Sequence, residues 1–201
     1  MNRIAIAIAA LLAAPAAFAA PYTIDPSHSQ AGFAVKHMMV SKVNGHFRSV
    51  KGTVDYDEAK PEATQIDAEI DATTVDTNDA KRDGHLKSPD FFDVANHPKI
   101  TFKSKKVKAS GPGKFSVAGD LTIRGVTKEV TLDVEGFDQA LATPWGTVKR
   151  GGSATTTISR KDFGLVWQKA LDKGGVVLGD EVKVTLDLEI DAKGDKPAAA
   201  K

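Results

Sequence analysis

The chain has 201 residues, and its 27 Lys and Arg against 26 Asp and Glu give a formal net charge of +1. This balance argues against binding to nucleic acid or to an anionic membrane surface through bulk charge. The chain contains no cysteine, which excludes thiolate catalysis, disulfides and cysteine-based metal sites. Its length suits a single domain with a substantial core.

The first predicted element is a secretory signal peptide, residues 1–19. Arg3 precedes a short apolar run, 4–14, and an Ala-x-Ala site ends at Ala19. The run is too short for a good membrane span, so we expect cleavage after Ala19, no stable membrane insertion and localisation in the bacterial periplasm. Removal of Arg3 with the leader leaves 26 basic and 26 acidic residues, a formally neutral protein.

Eight segments of the remaining chain show the period-two alternation of β-strands with one buried face. The opening segment, 28–38, carries Ala31, Phe33, Val35 and His37 at alternate positions. The other seven segments are 43–56 with a break at Gly52, 66–72, 100–107, 115–123, 130–136, 148–159 and 182–190. Antiparallel strands of this kind can close into a barrel that removes exposed edges, and an open two-sheet sandwich is the main alternative.

One segment, 78–94, breaks the alternation between the third and fourth predicted strands. Asp76 or Thr77 is a candidate helix cap there, and Ser88 followed by Pro89 is typical of a second helix start. We therefore predict a short helical insertion that covers one end of the barrel. The barrel domain is predicted over residues 21–192, and 193–201 is expected to be a flexible tail because it lacks apolar periodicity.

The predicted inner face mixes large residues such as Phe33 and Phe47 with small ones such as Ala31 and Ala68. A packed core alternates large and small residues in this way, but an eight-stranded barrel also has room for one small ligand. The pattern alone leaves both interpretations open. If there is a tunnel, the residues expected to line it are Ala31, Phe33, Val35, His37, Phe47, Ala68, Ile70, Phe91, Phe92, Phe102, Phe115, Leu121, Ile123, Phe163 and Trp167.

Motifs for catalysis are absent or weak. The chain has no H-E-x-x-H, G-x-S-x-G, Walker or strand-linked G-x-G-x-x-G motif. His28 and His37 would lie roughly 30 Å apart on one strand, so we expect no shared metal. Arg82, Asp83 and His85 resemble a general-base cluster, but adjacent Arg and Asp on a polar helix more often form a solvated pair or cap a loop. We predict no catalytic residue and no metal site.

Five sequence blocks together resemble one known family. They are "YTIDPSHSQAGFAVKHMMVSKVNGHF", "RDGHLKSPDFFDVANHPKITFKS", "VAGDLTIRGVTKEVTLDV", "ISRKDFGL" and "GDEVKVTLDLEID". In this order they resemble the YceI-like family of periplasmic polyisoprenoid-binding proteins. The resemblance implies an all-β fold, an eight-stranded antiparallel lipocalin-like barrel whose hydrophobic tunnel holds an isoprenoid or fatty chain. Quinone-type lipids and amphiphilic fatty amides or acids are the ligands associated with the family.

The expected function is a periplasmic binding or carrier protein that sequesters an isoprenoid lipid, a quinone-type or related amphiphile. We expect no catalysis, no cofactor apart from the bound lipid or quinone, and no nucleic-acid partner, while a homodimer is left open. Two alternatives remain at this point. One is a metal-dependent or lipid-modifying periplasmic enzyme, and the other is a stress-response protein with an incidental cavity.

Overall fold

The structure of the protein is a computed structural model that describes residues 21–57, 60–172 and 174–193. The predicted signal peptide, 1–19, and most of the predicted tail, 194–201, lie outside the described residues. Within the described residues the chain forms one antiparallel β-sheet and a single short α-helix. None of the helices in these ranges is long and apolar enough to cross a bilayer.

The elements of this sheet follow one another with mostly short connections. The strands are β1 (Tyr22–Ile24), β2 (Gln30–His37), β3 (Ser41–Phe47), β4 (Val50–Asp55), β5 (Gln65–Asp71), β6 (Val75–Asp76), β7 (Lys99–Gly111), β8 (Lys114–Ile123), β9 (Val126–Gly136), β10 (Leu141–Ala142), β11 (Thr147–Ser159) and β12 (Leu178–Lys193). The α-helix is α1 (Ala80–Lys87), and 3-10 turns cover Pro61–Ala63, Ala72–Thr74 and Arg160–Phe163.

The sheet closes into a barrel because β11 pairs with β12 as well as with β9. Strands β1 and β2 follow each other along the free edge of β12, since Ile24 pairs with Ile190 and Ala31 pairs with Leu186. Strands β3 and β4 follow each other along the next edge in the same way, because β3 pairs with β2 and β4 pairs with β1. Two more strands are interrupted in the same way, because β5 and β6 pair with β4 and β3, and β9 and β10 both pair with β11. Counting each of these four interrupted strands once reduces the twelve strands to eight strand positions. The predicted eight-stranded barrel is confirmed, and the open sandwich is excluded.

The two ends of the barrel differ, and we call them the helix end and the hairpin end. The helix end consists of residues 38–40, 72–98, 124–125, 160–172 and 174–177. The hairpin end consists of residues 56–57, 60–64, 112–113 and 137–146. The predicted helical insertion therefore lies between the third and fourth strand positions at one end of the barrel, as the broken alternation indicates.

The cap of α1 differs from the sequence prediction. Asp79, in an extended conformation, accepts hydrogen bonds from the backbone N–H groups of Lys81 and Arg82, both at 3.0 Å. Asp79 is therefore the N-cap, and the prediction of Asp76 or Thr77 is wrong by two or three residues. Asp76 instead belongs to β6, and Thr77 contacts side chains of the helix, as described below.

The second predicted helix start is also wrong. Ser88 ends α1, because its backbone N–H and its hydroxyl both donate to the carbonyl of His85, at 3.1 and 2.8 Å. The hydroxyl oxygen also accepts from the backbone N–H of Asp90 at 3.3 Å, but the turn that follows is not continued as a helix. Residues 89–92 form turns instead.

Hydrogen bonds hold the inserted segment on the barrel. Arg124, in the tight β8–β9 turn, donates to the carbonyl of Gly164 at 2.6 Å and to the carbonyl of Pro89 at 2.7 Å. One guanidinium thus joins the segment after α1 to the loop after β11. This link holds the inserted segment, which we call the cover, over the helix end of the barrel.

Candidate ligand-binding cavity

The barrel encloses a cavity of about 620 Å³. This volume lies within the range of small-molecule binding sites, roughly 300–1,000 Å³. Its wall consists mainly of inward-facing aliphatic and aromatic side chains contributed by strands around the whole barrel. The interior is therefore not a filled core but a site of ligand size and apolar character.

The structure brings together on this wall all the residues that the sequence singled out as a possible tunnel lining. They are Ala31, Phe33, Val35, His37, Phe47, Ala68, Ile70, Phe91, Phe92, Phe102, Phe115, Leu121, Ile123, Phe163 and Trp167. Ile70, Phe102 and Leu121 point inwards yet are only half-buried, because part of their surface faces the cavity.

Other lining residues were not in that predicted set. Val54 and Val134 follow the same alternation as their strands, so the pattern that identified the others would also have found them. Phe137, Leu165 and Val177 lie in connections between strands, where period-two alternation gives no signal. Their contribution depends on how the connections fold over the barrel ends.

Glycines on neighbouring strands explain how a barrel with large inward residues retains space. A Cβ atom at Gly45 would overlap the ring of Phe33, and one at Gly119 would overlap the ring of Phe102. Each ring therefore lies against the backbone of the next strand rather than across the barrel centre. The alternation of large and small residues produces an apolar wall and leaves the middle open.

Aromatic contacts connect the barrel wall to its cover at the helix end. The rings of Phe33 and Phe47 have centroids 5.7 Å apart, and Phe47 in turn contacts Phe92. Phe33 and Phe47 belong to β2 and β3, whereas Phe92 belongs to the inserted segment. This row of rings makes the inserted segment part of the cavity wall.

A second aromatic group contains His85 of α1. Its ring lies edge-on to Phe91 and Trp167, with centroid distances of 5.0 and 5.3 Å. Nε2 of His85 is 2.8 Å from Oδ2 of Asp90. His85 is therefore part of the packing that joins α1 to the loop containing Trp167.

The two other members of the possible general-base cluster also have structural partners. Nε of Arg82 donates to Oγ1 of Thr77 at 2.7 Å, and Asp83 accepts from the backbone N–H of Thr77 at 2.8 Å. Both side chains thus fix the segment that precedes α1. Arg82 and Asp83 both bond to the hydroxyl of Thr77, whereas His85 bonds to Asp90. The three side chains therefore do not act together as a general-base cluster.

The cavity reaches solvent beside the start of α1. Among the described residues on its wall, Asp79 and Lys81 are the two that are exposed. Arg82 also lines this region. The mouth is therefore charged, whereas the interior behind it is apolar.

A buried cation, Arg160, organises the loop on the other side of the helix end. It is only 4% exposed, and it donates to the carbonyls of Leu165, Trp167 and Gly179 and to the carboxylate of Asp180. Burial lowers the pKa of Arg160, and the nearby Asp180 charge opposes that effect. No sequence pattern indicates this role for Arg160, since a lone Arg after a strand carries no signal of burial.

A polar cluster outside the cavity includes His28. Nδ1 of His28 is 2.8 Å from Oδ2 of Asp25, and Nζ of Lys149 is 2.5 Å from Oε1 of Glu189. Asp25, His28 and Glu189 have possible metal-ligand atoms within 4.8 Å of one another. Nζ of Lys149 also lies 3.3 Å from Oδ2 of Asp25. Because this ammonium group already neutralises the two carboxylates, the cluster is a poor site for a metal cation.

The same cluster corrects the start of the first predicted strand. Strand β2 begins at Gln30, and His28 lies in the preceding turn. His37 lines the cavity at the helix end, whereas His28 does not. The hydrogen bond with His28 is the main cause that lowers the pKa of Asp25 to about 2, and Asp25 raises the pKa of His28.

Comparison with known families agrees with this architecture. The chain matches the YceI-like domain over residues 22–190. It belongs to the YceI-like family. The UPF0312 protein of Pseudomonas savastanoi pv. phaseolicola is 39% identical over 191 residues, which cover 92% of this chain and 91% of that protein. The UPF0312 protein of Azotobacter vinelandii is 40% identical over 162 residues, covering 78% of this chain and 82% of that protein.

Solved structures share the YceI-like barrel. BcnA of Burkholderia cenocepacia superposes with a TM-score of 0.68 at 26% identity, covering 83% of this chain and 98% of BcnA. The YceI protein of Campylobacter jejuni gives 0.66 at 30% identity, with 80% and 90% covered. A polyisoprenoid-binding domain from Saccharophagus degradans gives 0.61 at 16% identity, with 85% and 98% covered, and shows the shared fold. The predicted family and fold are confirmed.

Proposed function

We propose that this YceI-like protein binds one isoprenoid lipid, a quinone-type or related amphiphile, and keeps its apolar chain out of water inside the barrel. The observation that carries the proposal is the apolar cavity of about 620 Å³ within a closed sheet. A polyisoprenoid-binding domain with the same fold supports an isoprenoid chain as the ligand class. The protein then acts as a carrier or store of its ligand.

Burial of the chain supplies enough free energy for this function. Each CH₂ group transferred from water to an apolar site contributes about 0.8 kcal/mol, so roughly ten groups contribute about 8 kcal/mol. A net binding free energy of this size corresponds to a dissociation constant of about 1 μM, and ordering costs reduce the gross value. Longer isoprenoid chains offset those costs by burying more groups.

The charged mouth suits the polar end of an amphiphile. Asp79, Lys81 and Arg82 line the cavity beside the start of α1, where solvent reaches it. A charged head group is least costly to bind where water still contacts it. We therefore expect any charged head to lie at this mouth and the apolar chain to extend towards the hairpin end.

Binding rather than catalysis is the function that the wall supports best. Three titratable side chains at the helix end, Arg82, His85 and Arg160, have structural contacts. Their functional atoms are spread over separate contacts and do not form a nucleophile, base and oxyanion site. A lipid-modifying enzyme is the alternative that the test below distinguishes.

We also propose that the protein works in the periplasm. The proposal rests on the charged start, apolar centre and Ala-x-Ala site of the predicted leader. An apolar chain is poorly soluble in that aqueous compartment, so a closed barrel supplies the environment that water does not. N-terminal sequencing of exported protein is expected to begin at Ala20, and a leader retained in the membrane fraction would contradict the localisation.

Native mass spectrometry of protein purified from the periplasm of the producing bacterium tests the binding function. The expected result is a non-covalent adduct that organic extraction releases and identifies as an isoprenoid lipid. A tightly held metal with no lipid would favour a metal-dependent enzyme. The absence of both, together with no uptake of added isoprenoid alcohol, would favour an incidental cavity.

A further inference from the structure

One buried hydroxyl on the cavity wall lacks a hydrogen-bond partner. Among the side chains that the structure describes, Oγ1 of Thr64 is the buried polar atom left unpaired. Thr64 lines the cavity. Buried hydroxyl groups in native proteins are nearly always hydrogen-bonded, because leaving one unpaired destabilises the fold. A valine of almost the same shape would avoid that cost, so the hydroxyl needs an explanation.

The polar groups on either side of this hydroxyl are satisfied. The backbone N–H of Thr64 donates to the carbonyl of Pro61 at 3.1 Å. The backbone N–H of Ile66 donates to Oγ of Ser104 at 2.8 Å. The local turn therefore already has its hydrogen bonds without Oγ1 of Thr64, and the hydroxyl contributes nothing to holding that turn.

Thr64 lies far from the mouth of the cavity. It directly precedes β5 at the hairpin end, whereas Ala72 follows β5 at the helix end. Eight residues of extended chain separate the two, which is roughly 26 Å. Since the mouth lies beside Asp79 and Lys81, a ligand that contacts Thr64 reaches the deepest part of the cavity.

The surroundings of Thr64 determine what kind of atom could meet it. Tyr56 and Phe115, with ring centroids 6.5 Å apart, line the same end. The charged and histidine side chains of the described cavity wall all belong to the helix end, and they are His37, Asp79, Lys81, Arg82, His85 and Arg160. The buried guanidinium of Arg150 lies 5.0 Å from the ring centroid of Tyr56 but outside the cavity lining, and it donates to the carbonyls of Phe137 and Asp138. A charged ligand group beside Thr64 would therefore meet no opposite charge on the wall, so the matching group is neutral.

We propose that Thr64 binds an uncharged oxygen, a hydroxyl or a carbonyl, at the end of the ligand that lies deepest in the cavity. This inference rests on the proposed function and makes it more specific. The ligand class is a long apolar chain that carries a neutral oxygen at its buried terminus, with any charged group at the mouth. The unpaired hydroxyl acts as a specificity determinant for that terminus.

A comparison of matched probes tests this subsite. Saturated fatty acids of graded chain length, each with and without a terminal hydroxyl, compete with a fluorescent fatty acid for the full-length mature protein. We expect the carboxylate of each probe to bind at the charged mouth, so that the terminal hydroxyl reaches the hairpin end. Affinities are measured for the wild type, for Thr64→Val and for Thr156→Val, a control on β11 that also lines the cavity.

The decisive quantity is the affinity ratio of hydroxylated to plain acid. At the chain length that reaches the hairpin end, this ratio is expected to be roughly fivefold higher in the wild type than in Thr64→Val, the size of one neutral hydrogen bond. Thr156→Val is expected to keep the wild-type ratio, and Thr64→Val is expected to melt no lower than the wild type. A ratio that Thr64→Val leaves unchanged at every length would overturn the subsite, while failure to bind any acid would overturn the proposed function as well.

Discussion

The ring of Phe47 in β3 lies edge-on to the ring of Phe92 in the inserted segment, with centroids 5.5 Å apart and planes at 75°. Phe47 is part of the barrel wall, and Phe92 is part of the cover over the helix end. An edge-to-face pair of this kind contributes about 0.5–1.5 kcal/mol beyond the burial of its area. This contact therefore fastens the cover to the wall at the end where the cavity opens.

Replacement of Phe92 by alanine is expected to loosen the cover. Phe92 is half-buried and borders the cavity, so the loss of stability should be about 2 kcal/mol, below the range for a fully packed Phe. A bound fluorescent fatty acid should also dissociate several times faster. Urea unfolding and stopped-flow displacement measure the two effects.

Phe115→Ala is the matched control for this variant. Phe115 also lines the cavity but lies at the hairpin end, where its partner is Tyr56. It should lose comparable stability, and because it removes a wall contact without loosening the cover, it should raise the dissociation rate clearly less than Phe92→Ala does. If both variants release the probe equally fast, the inserted segment does not control access.

Arg160→Met is expected to be severely destabilising. The substitution removes the donors that satisfy the carbonyls of Leu165, Trp167 and Gly179, leaving buried acceptors unpaired at a cost of about 3 kcal/mol or more. Chemical unfolding monitored by circular dichroism measures the change. A loss below about 1 kcal/mol would show that water replaces the guanidinium and that Arg160 does not organise this loop.

Much of the barrel could be predicted because alternation reports directly on which side of a strand faces inwards. Phe33, Val35 and His37 share one parity in β2 and all three line the cavity. The same logic placed Ala68 and Ile70 on the wall. Alternation does not distinguish between a filled core and an open cavity on the inner side of that face.

That distinction depends on contacts between strands that are distant in sequence. The ring of Phe33 packs against Gly45, and the ring of Phe102 packs against Gly119. These contacts depend on the register between neighbouring strands, which alternation within one strand does not reveal. The cap of α1 was mispredicted for a related reason. Asp76, Thr77 and Asp79 all have capping side chains, and the choice among them follows from where β6 ends.

The His28 and Asp25 pair gives the protein a defined pH response. Asp25 raises the pKa of His28 above its ordinary value of 6.5. The pair therefore adds stability that is fully present below about pH 6.5 and is lost as pH rises through the raised pKa of the folded state. NMR titration of His28 should give a pKa above 6.5, and Asp25→Asn should return it towards that value.

The carboxyl partner titrates in the opposite sense. The pKa of Asp25 is lowered to about 2, mainly by its hydrogen bond with His28. Its contribution to stability is present above the ordinary value of 3.8 and is lost as pH falls towards 2. In His28→Gln the Asp25 pKa should rise, which carboxyl NMR titration detects. An Asp25 pKa that is unchanged in this variant would show that its other partners control it.

The most direct test of a ligand-binding cavity is the substitution Ala68→Phe, compared with Ala31→Phe. Both residues line the cavity, but Ala68 is half-buried, whereas Ala31 is 2% exposed and belongs to the tightly packed part of the wall. The added ring at position 31 is expected to cost about 1–3 kcal/mol through overpacking. At position 68 the ring has open space to enter.

The measurement combines thermal melting of delipidated protein with quantification of the lipid that each variant retains after expression. Ala68→Phe is expected to melt at or above the wild-type temperature and to retain several times less lipid, while Ala31→Phe is expected to melt at a lower temperature than the wild type. An Ala68→Phe variant that loses substantial stability and still carries the wild-type amount of lipid would contradict the account.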